Sequence, residues 1–260
     1  MKGINRREGK LFIDEVSLED IAKEHGTPVY VYSASKLKEN LHDYLSSVRD
    51  GDKVCYSVKS NSNIHLLKLL CDLGSSFDVV SGNELRRCLE AGAKPEDIVF
   101  SGVAKTEEEL VLAIKENIFS INIESEEELD RIIKISKDLE KKADCMIRIN
   151  PDISSGSHPY IQTGLKTSKF GILRERIDSL VKKASKSELI NLKGLASHVG
   201  SQIFNKELIF ENLNLLLEVV NNLARQGHTV SYIDLGGGLG IKYQAEKELN
   251  PKEVLEEVIT

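Results

Sequence analysis

Short apolar runs recur along the chain, and most are followed by a longer stretch whose apolar residues fall three and four apart. The short runs read as strands and the longer ones as amphipathic helices. Strands are expected at residues 54–59, 77–81, 98–102, 119–124, 145–150, 192–199 and 230–235. Helices are expected at 64–73, 82–91, 106–115, 125–139, 174–185 and 206–225. Such alternation predicts a parallel sheet with crossover helices. Ahead of it, Ser17 to His25 reads as a capped helix, 29–32 as a β-like run and 35–48 as another helix.

The polar positions within the strands choose the architecture. A strand in a doubly wound sheet is apolar on both faces. Here Ser120, Asn122 and Glu124 share one face, as do Arg148 and Asn150, and Ala196, His198 and Gly200. A closed barrel gives each strand one interior and one helix-facing side. The α/β chain is therefore expected to build a (β/α)8 TIM-type barrel, with its chemistry at the C-terminal strand ends. Seven strands are counted before the chain reaches Thr260 in what reads as the seventh helix. Open edges invite pairing, so the expectation is the front part of a longer protein, ending before the eighth strand. Residues 1–26 are expected to form an N-terminal segment and 27–260 an incomplete barrel.

Composition narrows the class without naming a chemistry. The chain has 260 residues, 40% of them hydrophobic, 29% charged, and a net charge of −6. This suits an ordinary packed core with both signs mixed over the surface. No basic block points to nucleic acid, and no apolar stretch points to a membrane span or a signal peptide. Cys55, Cys71, Cys88 and Cys145 lack zinc-type spacing, so no metal site is expected. They read as reduced thiols of a cytoplasmic protein.

Four stretches at strand ends can carry chemistry. Lys59 ends the first strand on the narrow polar side shared with Cys55 and Ser57. It fits either a charged loop residue or an imine-forming amine in a partly desolvated barrel mouth. Gly236, Gly237 and Gly238 after the seventh strand fit a plain glycine turn or an anion cradle of exposed N–H groups. His198 fits a structural residue, or one that stacks on a flat ring or moves a proton. Ser201 beside it caps a turn or binds phosphate. The stretch 150–171 is long for a connection in a compact domain, which favours a functional loop. Asp78 fits a solvated or capping carboxylate or a pocket residue, and by parity Asp78 and Arg148 can face the same mouth. Lys105 reads as a surface charge at a helix start, and the acidic runs 107–109 and 126–128 as partners of the helix dipole.

The motifs together resemble the fold-type III, pyridoxal-phosphate-dependent decarboxylases, whose barrel is alanine-racemase-like. Tyr56-Ser57-Val58-Lys59-Ser60-Asn61 is similar to the family's cofactor-lysine strand. Phe77-Asp78-Val79-Val80-Ser81-Gly82 is similar to its second strand and helix start. His198-Val199-Gly200-Ser201-Gln202 and Gly236-Gly237-Gly238-Leu239-Gly240 resemble its ring-stacking and phosphate-binding segments. Asn150-Pro151-Asp152 with residues 158–171 resembles the diaminopimelate branch in particular. The resemblance implies pyridoxal 5'-phosphate as cofactor, Lys59 and His198 as catalytic residues, and Ser201, Gly236, Gly237, Gly238, Asp78 and Arg148 as cofactor-binding ones.

It further implies decarboxylation of an amino acid, meso-2,6-diaminopimelate, to L-lysine, by a homodimer of the full-length protein. Rival substrates are ornithine, arginine and a carboxylated polyamine; a rival class is a non-catalytic cofactor-binding barrel. Family members continue into a Glu-Pro-Gly-Arg strand and a β-rich C-terminal domain, which this sequence lacks. Little activity is therefore expected of the 260-residue piece alone. Residues 7–13 resemble the family's first strand, which pairs with that domain.

Overall fold

A computed structural model describes residues 3–153 and 169–259. The N-terminal segment folds on itself. Strands β1 (Ile4–Arg7), β2 (Lys10–Ile13) and β3 (Val16–Ser17) form an antiparallel meander. Two short strands thus replace the single one expected near residues 7–13, because Glu8 and Gly9 adopt positive φ and turn the chain. Helix α1 (Leu18–His25) starts at a Ser17 cap, as its sequence demands. The expected β-like run 29–32 forms no strand, and Tyr30 is 90% exposed. Its β-branched and aromatic residues find no neighbouring ladder, and propensity without a partner does not make a strand. Helix α2 (Ala34–Leu45) follows.

The main sheet then runs in chain order. Strand β4 (Cys55–Ser57) leads to α3 (Ile64–Asp72), β5 (Ser76–Val79) to α4 (Gly82–Glu90), and β6 (Ile98–Phe100) to α5 (Glu107–Glu116). Strand β7 (Ser120–Ile123) leads to α6 (Glu126–Asp138). Strand β8 (Ala143–Asn150) is joined by a two-residue strand β9 (Ile172–Leu173), which precedes α7 (Ile177–Ser185). Strand β10 (Ile190–Ser197) leads to α8 (Glu207–Arg225), and β11 (Tyr232–Asp234) to α9 (Pro251–Ile259). All neighbours are parallel, and the order is β11-β10-β8-β7-β6-β5-β4. The seven expected strands are all present, each within a few residues of its expected bounds.

Two separate cores show why this sheet curls. Phe77, Val79, Ile98, Phe100, Ile121, Ile123, Ile147 and Leu195 pack outward against the helices. Full burial of one such side chain is worth about 1.5–3 kcal/mol. Val99, Phe119, Met146 and Ala196 form a distinct cluster on the other side. A doubly wound sheet gives both faces to helices; here one face meets itself, as barrel strands do. At Gly194 a Cβ would sit 2.2 Å from the Tyr232 carbonyl oxygen, so only glycine lets β10 and β11 approach. Helix α9 packs against α2, and Lys206 Nζ reaches Glu257 at 2.7 Å. The outer helices therefore bridge the two ends of the sheet, β4 and β11, which do not pair with each other among the described residues.

Candidate active site

Helix starts fix the ends of the strands. Ser81 Oγ accepts the Glu84 N–H, and Glu84 accepts the Val80 N–H at 2.8 Å. Thr106 and Glu109 make a reciprocal capping box at α5. At α6 Ser125 Oγ accepts the Glu128 N–H, and Glu128 Oε2 accepts the Glu124 N–H at 2.8 Å. The acidic runs do sit in first turns, where the helix dipole favours them. Lys105 is a correction: its side chain is 0% exposed, against Glu128 at 3.1 Å. It lies inside because two backbone carbonyls and a carboxylate await it there, a pattern that sequence periodicity does not display.

Lys59 does not end the strand but lies in the turn that follows it. Strand β4 stops at Ser57, and Val58–Ser60 form a 3₁₀ turn. Ser60 Oγ donates to the Ser57 carbonyl at 2.7 Å, Asn61 N–H to Val58, and Tyr56 Oη to Asn61. These bonds end the ladder while leaving Lys59 exposed at the mouth. Its charge still acts on both Asp78 and His198.

Asp78 projects inward from β5. Its Oδ1 accepts from Ser101 Oγ at 2.6 Å and its Oδ2 from Ser57 Oγ at 3.4 Å. Burial pushes its carboxyl up to about 6, with Asp234 adding to the rise; Ser101, Lys59 and Arg148 oppose it. Asp234, at the end of β11, is also raised by burial and is held back by the Gly236 N–H, Arg148 and Asn122. Asp234 is half-buried, and the protein packed around it sets the direction of the shift. Arg148 on β8 donates to Glu124 Oε1 at 2.6 Å and lies over the Phe170 ring at 4.9 Å. Glu124 also accepts the N–H groups of Gly102 and Gly171 at 3.0 and 2.9 Å.

His198, just past β10, is lowered to about 4 by burial first, then by the Arg148 and Lys59 charges. Its imidazole is thus neutral near pH 7, and Nδ1 accepts the Gly237 N–H at 3.4 Å. The glycine turn is shaped by close approach. Gly236 and Gly238 have φ of 72° and 100°, and a Cβ on Gly238 would fall 2.0 Å from the Gly200 carbonyl oxygen. Gly237 has open space where its Cβ would be. Ile203 N–H donates to Gly238 and Gly240 N–H to Ile203, both at 2.9 Å. The two loops are thereby zipped together, bringing Ser201 beside Gly238.

Lys59, Asp78, Arg148 and His198 therefore share one mouth, with Ser201 and the glycine turn on its β10–β11 side. The residues fit pyridoxal phosphate: an accessible amine, a neutral flat ring, and a glycine turn packed against residues 197–201 with open space at Gly237. Asp234, Glu124, Ser101 and Asn122 were not singled out from sequence as site residues. Inward parity marked Asn122 and Glu124, but nothing marked their bonds. The discriminating stretch 158–171 lies outside the described residues except for Lys169, Phe170 and Gly171.

Fold and site together define a (β/α)-barrel cofactor domain with a lysine at its mouth. Residues 34–260 match the family described as pyridoxal-dependent decarboxylase, pyridoxal binding domain, and the chain belongs to that family. It is 43% identical to diaminopimelate decarboxylase of Aquifex aeolicus over 95% of this chain and 59% of that protein. With the Vibrio cholerae enzyme of the same name it shares 40% identity, over 95% of this chain and 60% of the relative. The chain thus spans about three fifths of the length of these curated relatives. Diaminopimelate decarboxylase of M. jannaschii, solved in co-complex with L-lysine, superposes with a TM-score of 0.92. That match has 33% identity and covers 99% of this chain and 62% of the other. Among the described residues no helix is long and apolar enough to cross a membrane.

Proposed function

We propose that this protein is a diaminopimelate decarboxylase, which converts meso-2,6-diaminopimelate to L-lysine with pyridoxal phosphate held at Lys59. The observation that carries the chemistry is the convergence of Lys59, Asp78, Arg148 and His198 on one mouth. The substrate follows from the relatives' names and their identity of 40% or more. The bound cofactor supplies an electron sink for the carbon that loses carbon dioxide.

The chain's own residues do the rest. The Lys59 amine is exposed at the mouth and would be the residue that holds the cofactor. His198, kept uncharged, offers a flat face rather than a competing cation. Ser201 and the Gly238 N–H would receive the phosphate, since the Gly236 and Gly237 N–H groups are held by Asp234 and His198. Asp78 and Arg148 set the charge around the ring. Residues 1–26 stand as the N-terminal segment and 27–260 as the cofactor barrel, in a cytoplasmic homodimer.

The test has two parts. After incubation with pyridoxal phosphate and removal of the free cofactor, the parent is expected to keep a protein-bound imine absorbance band and Lys59→Ala to show none; a persisting imine band would sink the assignment. Carbon dioxide release from meso-diaminopimelate, ornithine, arginine and a carboxylated polyamine, by protein of the relatives' full length, is expected to favour the first. Preference for another amine reassigns the substrate, and binding without turnover favours a non-catalytic barrel.

A further inference from the structure

Lys105 is the most deeply buried cation among the described residues, and nothing in the site requires it to touch a cofactor. Its ammonium donates to the Gly102 carbonyl at 2.7 Å, the Asn122 carbonyl at 2.7 Å and the Glu128 carboxylate at 3.1 Å. All three partners also hold the mouth. Gly102 gives its N–H to Glu124. Glu128 accepts the Glu124 N–H. The Asn122 amide donates to Ser101 at 3.1 Å, and Ser101 donates to Asp78. Glu124 in turn grips Arg148. Lys105 is therefore linked through Gly102 and Glu124 to Arg148, and through Asn122 and Ser101 to Asp78.

We propose that the buried Lys105–Glu128 pair is a positioning device for the site, holding Glu124 and Asn122 so that Arg148 and Asp78 keep fixed places at the mouth. A lysine serves because its three donors reach three chain segments at once: the β6–α5 turn, β7, and the first turn of α6. The value of these placements for the cofactor rests on the proposed function above; the geometry itself does not.

The test compares the parent with Lys105→Met/Glu128→Gln. This variant removes both charges at similar volume, and replacing a buried pair by neutral groups often leaves stability near the parent's. The readout is the Arg148 Nη1–H resonance, the donor to Glu124, assigned with Arg148→Lys, in the chain without added cofactor. Exchange of this proton with water is expected to rise about tenfold or more while the fold is retained, since local opening governs such exchange. An unchanged exchange rate in the folded variant overturns the proposal. Should the double variant not fold, Glu128→Gln alone carries the test, with the same expected rise and the same overturning result. Pyridoxal phosphate binding is measured alongside. Failure of the parent to bind it refutes the proposed function yet leaves the Arg148 readout intact, so the two failures are distinguishable.

Discussion

Gly237 donates its backbone N–H to Nδ1 of His198 at 3.4 Å. This bond joins the loop after β11 to the end of β10, and it needs Nδ1 to carry a lone pair. A neutral imidazole supplies one; a protonated imidazole does not. The lowered His198 titration and the glycine turn are thus parts of one arrangement.

His198 is expected to titrate near 4 when followed by nuclear magnetic resonance. Burial is the main cause, so no single substitution restores the ordinary value. Arg148→Met removes one opposing charge and is expected to move the midpoint upward, while leaving it below about 6.5. The sign for stability follows. Between the folded and unfolded midpoints the unfolded chain binds more protons at this residue. Its contribution is present above about 6.5 and is lost as pH falls through about 4. A midpoint near the ordinary value in the parent would show that the ring faces open water.

Asp78 carries the opposite sign. Its folded midpoint of about 6 lies above that of a free aspartate, so the folded chain holds the proton more tightly. Stability from this group is present at low pH and declines as pH rises through about 6. Asp78→Asn keeps an acceptor for Ser101 and removes the titration. Relative to the parent, the variant is expected to gain on the order of 1–3 kcal/mol between pH 4 and 7, scaled from the energy of a pKa shift. Denaturant unfolding at several pH values measures it. A constant difference across that range counts against the assignment.

Much of this arrangement is legible in the sequence. Alternation of period 2 placed Ser120, Asn122 and Glu124 on one side, and that side is the interior. The glycine turn, His198 and Lys59 were marked by residue type at strand ends. Lys105 was not legible. In sequence it follows a turn and precedes a helix, as surface lysines do, and only tertiary placement of Gly102, Asn122 and Glu128 draws it inside. The run 29–32 failed for the complementary reason. Its residues favour a strand, but a strand requires a neighbour, and none pairs with it among the described residues. Asp234 ends β11 in register with Ala196 and so faces inward, which the strand pattern allowed but did not single out.

The glycine turn permits a paired substitution that separates fold from binding. Gly238→Ala places a methyl 2.0 Å from the Gly200 carbonyl at φ of 100°. It is expected to cost more than about 1 kcal/mol and to unzip the two loops. Gly237→Ala meets nothing within 4 Å and is not at positive φ. It is expected to stay within about 1 kcal/mol of the parent in stability, while its methyl crowds the proposed phosphate position. Thermal unfolding and pyridoxal phosphate titration read the two effects. Equal cofactor affinity in Gly237→Ala and the parent would place the phosphate elsewhere.

Phe119 provides a test at the opposite end of the barrel. Its ring lies below Lys193 Nζ at 4.3 Å and Lys53 Nζ at 5.1 Å, with Tyr232 edge-on at 5.0 Å. Lys53 precedes β4, Lys193 lies on β10 and Tyr232 on β11, so one buried ring touches residues from both ends of the sheet. The cations are themselves paired, Lys53 with Asp97 at 2.6 Å and Lys193 with Asp144 at 2.9 Å. Phe119→Ala removes the ring and leaves a cavity among these groups, at an expected cost of about 3–5 kcal/mol. The loss belongs to the fold, because Lys59 and His198 sit at the other ends of the strands. Denaturant unfolding is expected to show it, while pyridoxal phosphate affinity of the folded fraction stays at the parent's value. A loss below about 1 kcal/mol, the range of an ordinary surface change, would mean that the α2–α9 contact alone holds the two ends of the sheet together.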